Sequence, residues 1–165
     1  MARREQAQSL IEVTFGLIIF VPILLSLLDL SLIYLAVQKN ESLSNNVAEA
    51  AASTDPSNAQ KQAELLIHQQ NQAAIAGSLM HFRLVGPVDV KLTSFPEATQ
   101  DLATEEVFNP GGPITGNVNV NTAVDVKPFV VGAIWGKNGV ISFCSHHTFP
   151  IKYIMPSQRK PSGTP

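Results

Sequence analysis

Two carboxylates, Glu12 and Asp29, stand inside a stretch whose other side chains are almost all apolar. From Leu10 to Val37 the chain reads LIEVTFGLIIFVPILLSLLDLSLIYLAV, and these two are its only charges. A charge at the centre of a bilayer costs about 2.5–3.5 kcal/mol on insertion scales, and less near an interface. Glu12 therefore calls for a compensating cation or a place at headgroup level. Asp29 follows about 26 Å further along a helix. It can pair with a partner helix or a basic residue of a neighbouring subunit, or lie near the far membrane–water boundary. Pro22, between them, removes a backbone hydrogen bond and can kink or locally melt the segment.

The remaining reactive groups do not converge. His146 and His147 are adjacent, and neighbouring side chains of a strand point to opposite faces, so they cannot clamp one ion. Cys144 would share a face with His146 but has no orienting acid, so a small buried hydrophobe is its expected role. Gly111-Gly112 lacks the Lys-Ser/Thr of a phosphate loop. Glu97, Asp101, Glu105 and Glu106 match no calcium-loop spacing and read as a solvated acidic loop. No catalytic, metal-ligating or cofactor-binding residue is assigned, and the expectation is a non-enzyme without cofactor or small-molecule substrate. A formal net charge of −2 argues against a basic nucleic-acid surface. A single cysteine excludes an intramolecular disulfide.

The elements around these residues follow from periodicity. A helix from Leu10 to Val37 measures about 42 Å against a hydrocarbon core of about 30 Å. It can span a membrane with tilt, or continue beyond it. Arg3 and Arg4 precede the run while Gln38–Glu41 follow it, which places the N-terminus inside and the rest outside the cytoplasm. The run is longer than the apolar core of a signal peptide, and Tyr34–Gln38 makes a poor small-x-small cleavage site. Leu43, Val47, Ala50 and Ala51 continue the helical spacing, and Pro56 should end it near Ser53-Thr54. Asp55 then reads as an N-cap and Pro56 as a first helical residue. A second helix is expected over about Pro56 to Met80, with Ala59, Ala63, Leu66, Ile67 and Ala74 on one side.

Beyond it the period becomes two. Val88, Val90 and Leu92 alternate with Asp89, Lys91 and Thr93, and Val118 to Val126 alternates more strongly. Ile141, Phe143, Phe149, Ile151 and Tyr153 share one parity. The expected fold is α+β: a long N-terminal transmembrane helix, a second helix, and a roughly three-stranded antiparallel sheet in an extracytoplasmic head. The boundaries are a basic leader at 1–7, the transmembrane helix at 8–37, the head at 38–155 and a loose tail at 156–165. Ser94–Asn117 reads as one long loop. The apolar link from Phe129 through Ile134 to Trp135 is either a contact surface for membrane or partner, or a turn packed into the head.

Ala7-Gln8-Ser9-Leu10-Ile11-Glu12-Val13 joins a basic leader, a small residue and an apolar helix with a carboxylate five positions on. This pattern resembles type IV pilins and pseudopilins. QSLIEV, followed by Pro22, Asp29-Leu30 and Tyr34, is similar to the TadE-like pseudopilins of tight-adherence pili. The likeness covers the first fifty residues well. It covers the last forty-five loosely, through Val118–Lys127, the link at 128–136 and the strand at Val140–Ser145. Ala7 stands where that family prefers Gly. The resemblance implies cleavage between Ala7 and Gln8 by a prepilin peptidase, with Glu12 taking part. It also implies helix–helix assembly through Glu12, Pro22 and Asp29 with other pilin subunits, in membrane lipid of a bacterial inner membrane. The rival readings are an unprocessed single-pass envelope scaffold and a membrane-tethered enzyme using the 94–117 loop.

Overall fold

The computed structural model describes residues 2–73, 79–97, 99–100, 107–135 and 138–159. Helix α1 runs from Ala2 to Ser53 without a break, a rod of about 78 Å. It passes through Pro22; the ring removes one ladder donor, and the helix does not melt there. It ends where Pro56 requires. Asp55 accepts hydrogen bonds from the backbone N–H of Ser57 at 2.8 Å and from its hydroxyl at 2.7 Å. That cap opens a 3₁₀ turn over Pro56–Asn58, followed by α2 at Ala59–Ala73. The second helix is thus shorter than its composition suggests. Ala74 lies outside the described residues, and Met80 opens a strand instead of closing the helix.

The strands are β1 (Met80–Leu84), β2 (Asp89–Ser94), β3 (Thr99–Gln100), β4 (Val107–Asn109), β5 (Gly112–Pro113) and β6 (Thr115–Val126). The short helix α3 (Val131–Trp135) precedes β7 (Ile141–Pro150), β8 (Ile154–Met155) and β9 (Gln158–Arg159). Twelve-residue β6 is the axis of the main sheet. On one side it pairs antiparallel with β7 along its length, from Asn117↔Pro150 to Val126↔Ile141. On its other side β1 takes the C-terminal half and β2 the N-terminal half. Val85 N–H still reaches Asn121 O between them, so β1 and β2 act as one edge strand broken at Gly86-Pro87. The sheet is therefore three strands wide.

Two expectations change here. The stretch from Ser94 to Asn117 is not structureless: β3 pairs with β4, β4 with β9 and β5 with β8. The tail is tied down accordingly, because Gln158 and Arg159 pair with Asn109 and Phe108. Asp101, Glu105 and Glu106 lie outside the described residues, as does the chain from 160 on.

The core forms between the sheet and the C-terminal half of α1. Val118, Val120, Thr122, Val124 and Val126 point inward from β6 and are fully buried, as alternation demands. Against them α1 sets Ala36, Asn40, Leu43, Ser44, Val47, Ala48, Ala51 and Ala52, a stripe at spacings of three and four. Its alanines let α2 approach closely through Ala59 and Ala63, and Ile67 and Phe82 complete the cluster. Asn40 joins helix to sheet: its Nδ2 donates to Phe143 O at 3.3 Å, and its Oδ1 accepts from Thr122 Oγ1 at 3.0 Å. The buried Ser44 hydroxyl has no partner among the described residues.

The outer face of the sheet is polar and in register. Thr148 donates to Asn119, His146 shares a hydrogen bond with Asn121, and Ser142 and Arg83 both donate to Asp125. These are cross-strand pairs. Cys144 lies on this face and is exposed, not buried. The parity that carries Phe143 and Phe149 inward turns Cys144 and His146 outward, with His147 on the other side.

Full-length protein in detergent micelles should distinguish the two buried polar residues of α1. Asn40→Ala should lower unfolding free energy by about 1–3 kcal/mol, since it strands Thr122 and the Phe143 carbonyl. Ser44→Ala should leave stability unchanged or raise it by up to about 1 kcal/mol. Equal losses in a denaturant titration would show that the Ser44 hydroxyl is paired.

The ionised head residues give a pH dependence. Ser57 hydrogen bonds hold the Asp55 carboxyl below its ordinary range, with Tyr153 adding to them. Burial pushes Asp125 up, but hydrogen bonds from Ser142 and Arg83 outweigh it and leave it lowered. A carboxyl lowered by folding stabilises fully above its unfolded value of about 4, and that stability is lost as pH falls through the folded value. The thermal midpoint in micelles should therefore fall between about pH 5 and pH 3. Asp125→Asn should make that fall shallower; an unchanged slope would exclude Asp125 as a contributor.

Candidate functional site

The N-terminal half of α1 carries most of the residues singled out by the sequence. Ala7 and Gln8 lie within its backbone, and their side chains are outside those described. Every described side chain from Ile11 to Leu24 is exposed, Glu12 and Pro22 included. This helix is long and apolar enough to cross a membrane. Two of its hydroxyls are satisfied locally, Ser26 Oγ by Pro22 O at 2.8 Å and Ser31 Oγ by Leu27 O at 3.0 Å. An apolar solvent imposes that requirement on every polar group. Tyr34, 66% exposed, receives a hydrogen bond from Gln38 at 2.6 Å. From Glu12 to Tyr34 the axial distance is about 33 Å, close to the thickness of a hydrocarbon core.

Asp29 behaves differently from its surroundings. It is fully buried, and what buries it is the apolar link of its own head. Phe129 N–H donates to Oδ1 at 2.7 Å, while Val130 and Val131 donate to Oδ2 at 2.6 and 2.9 Å. Val131 opens α3, and Phe129 and Val130 belong to the turn just before it, donors at a helix start that need a partner outside its own ladder. Here a carboxylate a hundred residues earlier in the chain caps them. The charge is answered by three hydrogen bonds, each of a kind worth about 1.5–3 kcal/mol. The sequence alternatives for Asp29 were a partner subunit or the membrane boundary; its observed partner is within the chain.

The link is neither wholly packed nor wholly free. Pro128 and Gly132 are buried. A Cβ on Gly132 would sit 2.7 Å from Gly139 O, so the close return of the chain excludes a larger residue. Phe129 and Ile134 are 62% and 66% exposed. Trp135 ends α3, and its side chain lies outside those described.

Head and helix are thus held together at three levels of α1. Asp29 holds the link, Asn40 holds β6 and β7, and Ala52 O accepts from Lys152 N–H at 2.9 Å while Glu49 pairs with Lys152 Nζ at 3.2 Å. The link of the head thus reaches back along α1 to Asp29, within the apolar run. Periodicity could not reveal this contact, because its donors are backbone groups with no residue signature.

Elsewhere the broken edge is covered by α2. Asn71 exchanges two hydrogen bonds with the Phe82 backbone, and Gln60 accepts from Val88 N–H at 2.7 Å. Beside them lies an open groove of about 400 Å³ that includes Glu64, His68 and Arg83. Among the described residues no three of His, Cys, Asp and Glu gather to hold a metal. No family model, curated protein or solved structure matches the chain.

Removing the Asp29 carboxylate should free the link. Asp29→Ala leaves three donors unpaired at about 1–3 kcal/mol each, so chymotrypsin should cut after Phe129 much faster in micelle-bound protein. Asp29→Asn keeps one acceptor oxygen and should be intermediate. Equal cleavage rates in all three proteins would show that the link is held by packing alone.

Proposed function

We propose that the chain is a TadE-like pseudopilin, a structural and assembly component of a tight-adherence pilus or related type IV-like secretion filament. The observation that carries this reading is the bare N-terminal half of α1. Apolar side chains are exposed around it from Ile11 to Leu24, Glu12 lies among them, and the first fully buried residue on α1 among those described is Asp29. A monomeric head does not need such a rod. A bundle of parallel helices does, and a membrane stores it between insertion and assembly.

Processing makes Glu12 useful. Cleavage between Ala7 and Gln8 creates an α-amino group, largely protonated at neutral pH, at the start of an apolar helix. That ammonium and the Glu12 carboxylate of a neighbour neutralise each other, whereas each alone is costly in hydrocarbon. Glu12 is also one helical turn from Gln8, which permits pairing within a chain. Pairing between chains sets the axial stagger of subunits, because deleting one member of a buried pair typically costs about 3–5 kcal/mol. Arg3 and Arg4 retain the leader in the cytoplasm of a bacterium, so the chain spans the inner membrane once with its head outside. The partners are the prepilin peptidase, other pilin or pseudopilin subunits, and membrane lipid.

Coexpression with a prepilin peptidase should yield a mature chain beginning at Gln8 by mass spectrometry, and Ala7→Leu should stay uncut. Glu12→Val should insert at least as well as the native chain yet lose most co-purification with pilin partners. Native protein that keeps Met1 or Ala2 would overturn the processing. Undiminished association of processed Glu12→Val would remove that carboxylate from assembly.

A further inference from the structure

Docking of the 128–135 link on Asp29 fixes its height along α1. On the helix face away from the head, Leu27, Leu28, Leu30, Tyr34 and Leu35 are all exposed. The next exposed residues on α1 are the polar Gln38 and Lys39, so the apolar sleeve of the rod ends at Tyr34–Gln38. Tyr34 has the amphipathic character of a residue that marks a membrane–water interface. Asp29 lies about 8 Å below it, towards the N-terminus. The link hydrogen-bonded to Asp29 shares that height, inside the sleeve and not above it.

Its chemistry suits that position. Phe129 and Ile134 expose apolar side chains, while Asp29 and the first backbone donors of α3 satisfy one another. A segment can enter hydrocarbon only if its polar backbone is answered within the protein. Lys127, exposed at the mouth of the link, has a stem long enough to keep its ammonium in the headgroup layer. Amphipathic segments resting in an interface bury their apolar side about 5–10 Å deep, which matches the offset between Asp29 and Tyr34.

We propose that the 128–135 link is a second membrane contact, seated against α1 in the outer leaflet with Phe129 and Ile134 among lipid acyl chains. The inference rests on the spanning reading of α1 and adds a lipid-facing surface to the head. Its consequence is a head fixed in height and rotation at the membrane, not swinging above it on a tether.

The test uses the full chain carrying Cys144→Ser, reconstituted in phosphatidylcholine nanodiscs. Single cysteines at Phe129, Ile134, Ile19 and His68, all exposed positions, carry an environment-sensitive fluorophore. Quenching by a nitroxide high on the lipid acyl chain is compared with quenching by aqueous iodide. Probes at 129 and 134 should follow Ile19, several-fold more sensitive to the lipid nitroxide, while His68 follows iodide. Probes at 129 and 134 that follow His68, with Ile19 still lipid-quenched, would overturn the second contact and leave the span intact. An iodide-accessible Ile19 would instead sink the spanning reading itself. Shielding of 129 and 134 from both quenchers would assign the surface to another copy of the chain and overturn the lipid assignment.

Discussion

A carboxylate in an apolar setting must find donors, and the way Asp29 finds them organises the molecule. Its oxygens could have been met by a cation or by water. They are met by three backbone N–H groups of a turn that itself needs an acceptor. Two costly features, a buried charge and an uncapped helix start, cancel each other. The solution draws an apolar turn of the head down to the level of Asp29 on α1.

From that point α1 changes character. From Ile11 to Leu24 its side chains are mostly apolar and exposed in the single chain. Above Asp29, the buried stripe of alanine, valine and asparagine becomes the spine of the head's core. Small residues make this possible, because they admit the β6 valines on one flank and α2 on the other. One uninterrupted helix therefore belongs to both halves, and neither half is a separable module. The flanking edge of the sheet is managed with equal economy: Asn71 and Gln60 supply the hydrogen bonds that a further strand would have made, which closes part of an edge otherwise open to pairing.

Much of this was legible in the sequence, and the limits have physical causes. The length of α1, its stop before Pro56 and the Asp55 cap follow from local rules that tertiary contacts did not overturn. Strands β2, β6 and β7 announced themselves by alternation, whereas Cys144 was expected to be buried and lies exposed on the outer face of β7. Strand β1 was concealed because Met80–Leu84 is short and follows a Gln-rich helix whose composition blurs its end. Pairs such as β4 with β9 involve two or three residues brought together by the fold, too few to leave a period. The cap on Asp29 was invisible for a deeper reason: the carboxylate stood out in the sequence, but its donors were main-chain groups. The processing residues belong to another category, since Ala7, Gln8 and Glu12 are read from pattern and resemblance.

The hundred residues between Asp29 and its donors also set a timetable. A ribosome adding about 5–20 residues each second delivers the turn roughly 5–20 s after the aspartate. If α1 enters the bilayer as it emerges, Asp29 arrives before anything can answer its charge. During that interval its cheapest position is at the wet surface, leaving the anchor shallow. Only when β6 has been made and the turn follows can the carboxylate be covered and the rod settle to its final depth. Topogenesis would then occur in two strokes, with completion of the head acting as the signal that seats the anchor.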